Sequence, residues 1–284
     1  MKYEMLSGFS DEIAEDIDIQ FRVLRKLNLK YFEVRGVDGK NIAALTDQEV
    51  VSLKKKMKES GVKASSIGSP IGKVDLEEDF EIHFAQFERV VEIAKMLEAD
   101  SIRLFSFYHR SGAEWNERER EEVLSRLKRM IDYASERDVV LLHENEKDIY
   151  GDTADRCLDL MRELGCGHFR AVFDPANFVQ CGQDTIEAYE KLKEFIAYVH
   201  VKDAFLADGR VAPAGFGDGN VEYVLKRLFE SGYRGYLSLE PHLGSFAGLE
   251  DLELDDGMSK LPPGGEGTFT LAWQALNGIL DRVL

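Results

Sequence analysis

The chain has 284 residues, of which 36 are basic and 53 acidic, so its formal net charge is −17. Hydrophobic residues make up 44% of the chain, which is enough for a substantial buried core and excludes a disordered protein. The negative charge argues against nucleic acid as a partner, because contacts to phosphates need dense Lys and Arg, and against adsorption to an anionic membrane.

The cysteines and the first residues predict a reduced, intracellular setting. Cys157, Cys166 and Cys181 are too few for a disulfide framework and lack the spacing of a metal knuckle. The N-terminal residues turn acidic at once and contain no apolar signal core. No stretch approaches the roughly 18 apolar residues of a membrane-spanning helix. We therefore expect a cytoplasmic protein.

One pattern repeats along the chain: a short apolar or β-branched run, a polar loop and an amphipathic helical stretch. The apolar runs predict strands at Met5–Ser10, Tyr31–Val37, Lys63–Gly68, Ser101–Tyr108, Val139–Glu144, Arg170–Asp174, Tyr198–Lys202 and Gly235–Glu240. Eight strands alternating with eight helices predict one (β/α)8 TIM barrel, in a single domain over residues 1–284. A doubly wound open sheet is the alternative, but no G-x-G-x-x-G follows the first strand.

A long irregular stretch follows the last predicted strand, at residues 243–267, and contains Pro262, Pro263 and several glycines. Loops of this length inside a compact domain are usually functional. We expect it to close over the barrel mouth or to contact a neighbouring subunit, and a homo-oligomer is a further expectation.

The fifth to eighth predicted strands each end in a polar side chain that can bind a metal ion. These residues are Glu144, Asp174, His200 and Glu240. The carboxyl ends of parallel barrel strands lie on one face, so the four side chains are expected to meet around one ion. Three carboxylates and one imidazole suit Mn²⁺ or Mg²⁺, with Zn²⁺, Fe²⁺ or Co²⁺ as alternatives. Polar residues that merely cap strands are the other interpretation, but four in succession favour a shared ion.

Four motifs carry a family resemblance: HENE at 143–146, FDPANF at 173–178, HVKD at 200–203 and SLEPH at 238–242. They resemble the sugar isomerases and epimerases with a xylose isomerase-like TIM barrel, in the superfamily that includes AP endonuclease family 2. The resemblance implies that the same four residues are metal ligands and that Glu144 and Glu240 exchange the substrate proton. Family epimerases often have His where this chain has Asn177. Repair endonucleases of the superfamily use extra histidines from the third and fourth strands. In this chain His109 is the single candidate for such a histidine.

These residues predict a metal-dependent isomerase or epimerase that acts on a monosaccharide or keto-polyol through an enediolate. Return of the proton to the opposite face gives epimerisation, and return to the neighbouring carbon gives isomerisation. A lyase on the same scaffold, either inosose dehydratase-like or cleaving 3-keto-glycosides, is one alternative. A catalytically silent sugar-binding subunit is another.

Several further residues are predicted to face the mouth of the barrel. Lys202 should point the same way as His200, which allows it to neutralise a developing oxyanion or to pair with a ligand carboxylate. The candidates for substrate contact are Glu12, Glu33, Arg35, His109, Asn177 and His242. The Gly-rich stretch 215–220 is interpreted as turns rather than a phosphate cup, because Asp218 would repel a phosphate. An unphosphorylated sugar or polyol is therefore the favoured substrate.

Overall fold

The computed structural model describes residues 3–109, 114–243 and 264–284, and its centre is a ring of eight parallel strands. The strands are β1 (Leu6–Gly8), β2 (Tyr31–Val34), β3 (Lys63–Gly68), β4 (Ser101–Leu104), β5 (Val140–Glu144), β6 (Phe169–Phe173), β7 (Ile196–Val201) and β8 (Tyr236–Leu239). The helices are α1 (Ile17–Lys26), α2 (Asp47–Ser60), α3 (Phe80–Leu97), α4 (Glu117–Ser135), α5 (Ala154–Leu164), α6 (Pro175–Gln180), α7 (Thr185–Leu192), α8 (Val221–Glu230) and α9 (Gly265–Val283).

The ladder of strands runs without interruption from β2 through β3, β4, β5, β6, β7 and β8 to β1. Its two end strands, β1 and β2, lie beside each other, so the sheet forms a nearly closed barrel. The predicted (β/α)8 TIM barrel is therefore confirmed. Most of the predicted loop at 243–267 lies outside the described residues, which end at Leu243 and resume with Gly264.

Several predicted strands are longer than the observed ones, and local hydrogen bonds explain the difference for the second and the fourth. The second strand ends at Val34, after which Gly36–Val37 turns back to pair with Lys40–Asn41. The fourth strand ends at Leu104, because the following backbone bonds to the loop after β3 instead of continuing the ladder. Its N–H groups donate from Phe105 to Ile71, from Phe107 to Gly72 and from Tyr108 to Val74.

The helices form where the sequence supplies both a capping residue and an apolar face. Helix α2 begins in a capping box between Thr46 and Glu49 and ends at Ser60, and Gly61 caps it in the left-handed conformation with φ +67°. Apolar faces of the helices pack on the outside of the barrel in one continuous core. Of the helices in the described ranges, none has the length and apolarity needed to cross a bilayer.

Inside the barrel an apolar layer lies below a charged one. Leu142, Val172 and Tyr198 form a small buried cluster in the interior. Each lies two residues before a predicted metal ligand, on β5, β6 and β7 respectively. Because side chains alternate between the two faces of a strand, the residues two positions on also point inward, one layer nearer the carboxyl ends. The strand period thus places Glu144 and His200 at the mouth.

The Gly-rich stretch after β7 folds around the carboxylate of Asp203. Oδ2 of Asp203 accepts hydrogen bonds from the N–H groups of Gly215 (2.9 Å) and Gly217 (3.1 Å), and Oδ1 accepts one from Gly219 (2.7 Å). A Cβ on Gly217 would lie 2.5 Å from the carbonyl oxygen of Ala204, so this position requires glycine. The protein's own carboxylate occupies these donors, which agrees with turns rather than a phosphate cup.

Replacing Asp203 with Ala is expected to destabilise the protein by about 3 kcal/mol, because three backbone donors, one of them buried and two partly buried, lose a charged acceptor. Equilibrium urea unfolding measures the change. Asp203→Asn is the matched control, and it should lose less because its amide oxygen still accepts. Surface substitutions without a structural role usually change the unfolding free energy by no more than about 0.5 kcal/mol. A change of that size for the Ala variant would show that the carboxylate does not organise this turn.

Candidate metal centre

The four predicted metal ligands meet at the mouth of the barrel. Glu144 ends β5, Asp174 follows β6, His200 lies near the end of β7 and Glu240 follows β8. All four are buried, and one ligand atom from each lies within 4.8 Å of those of the others. His200 Nδ1 is 2.9 Å from Glu144 Oε1, 3.5 Å from Glu240 Oε2 and 4.0 Å from Asp174 Oδ2. The cluster can hold a single metal ion.

The donors fit a divalent cation by their chemistry. Three carboxylates and one imidazole nitrogen are hard or intermediate ligands, which suit divalent ions rather than thiolate-binding metals. Oδ2 of Asp174 is fully buried and accepts no aligned hydrogen bond in the described structure. Its cationic neighbour is the Lys202 ammonium, whose Nζ lies 3.0 Å from this oxygen and 3.0 Å from Glu240 Oε2. A buried carboxylate oxygen of this kind is a natural metal ligand.

Burial and neighbouring charges together lower the pKa of two carboxyl groups of the cluster and raise that of the third. Burial would raise the pKa of Glu144, but His200 and Arg103 outweigh it and hold this pKa at about 2. Burial likewise opposes ionisation of Glu240, yet Lys202 and His200 keep its pKa well below the usual range. Burial raises the pKa of Asp174 to about 7, since the pull of Lys202 does not overcome burial and the neighbouring glutamates. Both glutamates are therefore carboxylates at neutral pH.

Two residues of the centre were missed by the sequence analysis. Arg103 on β4 is buried, with Nε 3.1 Å from Glu144 Oε2 and Nη1 donating to the carbonyl oxygen of Ser69 (2.8 Å). Asn145 pairs with the backbone of Asp174, donating to its carbonyl oxygen (2.9 Å) and accepting from its N–H (3.0 Å). An arginine inside the apolar run of β4 was the available indication for Arg103, because its alternation with Ile102 and Leu104 points it inward.

Three predicted substrate contacts lie together beside Glu240. Arg35 donates through Nη1 to Glu240 Oε1 (3.1 Å) and through Nη2 to Glu12 Oε1 (3.2 Å), and Asp11 holds the other edge of the guanidinium. His242 Nε2 lies 3.4 Å from Glu12 Oε1 and 3.4 Å from Glu240 Oε1. Burial and the charge of Glu240 raise the pKa of Glu12 to about 7. These side chains line one wall of the mouth.

The other three predicted contacts occupy different places. Asn177, in the first turn of α6, donates through Nδ2 to Glu144 Oε1 (3.2 Å), so it adjoins the cluster directly. Glu33 lies inside the barrel against His200. His109 contacts Glu119 (3.0 Å) and the ring of Trp115, in a cleft of about 690 Å³ whose described lining includes none of the four cluster residues.

Comparison with known proteins identifies the class. Residues 21–261 match the family described as the xylose isomerase-like TIM barrel, so the chain belongs to this family. The match covers the strands that supply all four cluster residues.

Individual relatives are more distant. A 3-dehydroshikimate dehydratase of Bacillus anthracis is 22% identical over 135 residues, which are 48% of this chain and 48% of that protein. The aligned region thus spans about half the length of the curated relative. The crystal structure of a protein named IolI with a bound zinc atom matches with a TM-score of 0.77 and 15% identity over 99% of each chain. A D-tagatose 3-epimerase-like protein matches with a TM-score of 0.74 and 16% identity over 99% of this chain and 100% of that one.

Proposed function

We propose that the protein is a divalent-metal-dependent isomerase or epimerase that moves a proton next to the carbonyl of a monosaccharide or keto-polyol. The observation that carries the proposal is the pairing of two buried, ionised glutamates, Glu144 and Glu240, around one metal-ligand cluster. The epimerase-like structure among the similar proteins supports the substrate class, since a sugar is what its name indicates.

Glu144, Asp174, His200 and Glu240 would hold the ion. When bound, a divalent ion polarises the substrate carbonyl and stabilises the negative charge that develops on its oxygen. The oxygen-rich donor set favours Mn²⁺ or Mg²⁺, and the zinc in the IolI structure makes Zn²⁺ the main alternative.

The proton transfers fall to the two glutamates. One, as a carboxylate, removes the proton from the carbon beside the carbonyl, and the other returns a proton after it has been protonated from solvent. Lys202 and Arg35 each donate to Glu240, which fixes the orientation of that carboxylate. Asn177 does the same for Glu144. Fixed carboxylates on two sides of one site allow the proton to return to a different face or a different carbon.

The second candidate is a lyase, and the similarity to 3-dehydroshikimate dehydratase favours it. The same glutamate would remove the proton, and a hydroxyl on the next carbon would then take a proton from the other glutamate, protonated from solvent, and leave as water. The two reactions share their first step, so the residues that discriminate them are those that receive the leaving hydroxyl.

Incubation with ketoses, inososes and 3-keto-glycosides and Mn²⁺ in deuterated water tests both candidates. Deuterium incorporation with otherwise unchanged mass indicates isomerisation or epimerisation, and loss of water in the product mass indicates the lyase. The matched variant is Asp174→Asn, which keeps the helix cap that Asp174 provides for Asn177 but loses the anionic ligand. We expect it to fold, to lose bound metal and to lose exchange. A wild-type protein that takes up no divalent ion and exchanges no proton would refute the proposal.

A further inference from the structure

A further acidic side chain lies inside the barrel, on the other side of His200 from the cluster. Glu33 on β2 is 1% exposed, and its Oε2 is 3.1 Å from His200 Nε2. Ser238 on β8 donates its hydroxyl to the same oxygen (2.8 Å). The opposite nitrogen of the imidazole, Nδ1, is the one that faces Glu144 and Glu240. Glu33 and the metal-ligand cluster thus contact opposite edges of one ring.

We infer that Glu33 is a positioning residue that sets His200 as a metal ligand. A neutral imidazole carries one N–H, and an acceptor at one nitrogen leaves the lone pair of the other free for a metal. In the metal-bound form, an Nε2–H that donates to Glu33 would leave the lone pair of Nδ1 on the side of the cluster. A carboxylate behind a ligating histidine also raises the donor strength of the ring. This inference rests on the proposed metal site.

The surrounding contacts favour this role over that of an ordinary buried ion pair. The nearest guanidinium, that of Arg103, has its Nε 3.9 Å from Glu33 Oε1 but 3.1 Å from Glu144 Oε2, so it contacts Glu144 more closely. Oε1 of Glu33 has no hydrogen-bond partner among the described residues. The polar contacts of Glu33 therefore lie mainly on Oε2, where Ser238 holds the carboxylate against the imidazole.

The ring itself is held by its neighbours as well as by Glu33. Phe9 and Tyr198 lie edge-on to the imidazole, with ring centroids 5.2 and 5.7 Å away. These aromatic contacts restrict the tilt of the ring but supply no hydrogen-bond acceptor to Nε2. Of these three neighbours, only Glu33 offers an acceptor at Nε2, and this gives its carboxylate an effect on the imidazole that packing alone does not have.

The test is calorimetric titration of Mn²⁺ and of Zn²⁺ into the metal-free protein and its variants. Removal of a group behind a metal ligand typically weakens metal binding about 10- to 100-fold. We expect Glu33→Gln, which keeps an acceptor without charge, to lose about tenfold, and Glu33→Leu to lose about a hundredfold. Thr185→Val is the control: Thr185 is a buried residue of α7, outside the ring of strands, and accepts from Nδ2 of Asn220, so its loss perturbs the protein but not the metal-ligand cluster. Its metal affinity should equal that of wild type.

Thermal unfolding in the presence of chelator separates the positioning role from a structural one. A purely structural Glu33 would lower the melting temperature, as we expect of Thr185→Val, and leave metal affinity intact. Affinity of Glu33→Gln within about twofold of wild type would overturn the inference, and this variant decides the matter even if Glu33→Leu does not fold. A wild-type protein that binds neither ion would instead count against the proposed function itself.

Discussion

Glu144→Gln and Glu240→Gln are each expected to lower the rate of substrate proton exchange by about 10²- to 10⁴-fold, the usual contribution of a positioned acid or base. Gln is close in shape and retains an oxygen that can ligate, but it cannot accept the proton. The measurement is deuterium incorporation at saturating substrate and Mn²⁺, with metal content determined on the same samples. Measuring both quantities distinguishes a variant that has lost the catalytic base from one that has lost its metal.

The matched control is Glu146→Gln, in the same motif two residues beyond Glu144. Glu146 forms an ion pair with Lys73 (2.9 Å) and belongs to neither the cluster nor its hydrogen bonds in the described structure. Its exchange rate should equal that of wild type. If the metal-replete Glu144→Gln enzyme exchanged within about tenfold of wild type, Glu144 would be a ligand but not a base.

The barrel and its cluster were predictable because both follow from local periodicity. Alternation along a strand and the common direction of parallel strands place Glu144, Asp174, His200 and Glu240 on one face without knowledge of any distance. The family resemblance pointed to the same four residues. What the pattern could not supply was the depth of each side chain within the barrel.

Contacts between distant strands explain the remaining differences. Glu33 on β2 and His200 on β7 are 167 positions apart, and only the nearly closed barrel brings their side chains together in its interior. Arg103 is hidden in an apolar run, where a single charged residue is easily taken as facing solvent. The short helix α6 was not predicted, because the pattern indicated only a metal ligand at Asp174, whereas the same side chain also caps this helix.

The cluster also contains an internal cation, which links its stability to metal binding. Lys202 Nζ lies 3.0 Å from Asp174 Oδ2 and 3.0 Å from Glu240 Oε2, and the ammonium is buried. These two carboxylates are also proposed metal ligands. The ammonium therefore neutralises charge that a divalent ion would otherwise neutralise, so the loss of either cation should increase dependence on the other.

Lys202→Met is accordingly expected to destabilise the metal-free protein by about 3–5 kcal/mol, the cost of leaving a buried charge without its partner. The destabilisation caused by Lys202→Met should be smaller with Mn²⁺. An ion that binds only the folded state adds stability, and in the variant the ion also neutralises the carboxylates that have lost the ammonium. Urea unfolding with chelator and with Mn²⁺ gives both values. A variant that folds only with Mn²⁺ would be the extreme form of this result.

Lys73→Met is the control for the charge itself, since Lys73 pairs with Glu146 in a partly exposed position. An exposed ion pair is worth at most about 1 kcal/mol, so this variant should lose little stability, and equally little with and without metal. The diagnostic quantity for Lys202→Met is the difference between its two losses. If chelator and Mn²⁺ gave the same destabilisation, the ammonium and the metal would not act on the same carboxylates, and the cluster would be a buried ion-pair network instead of a metal centre.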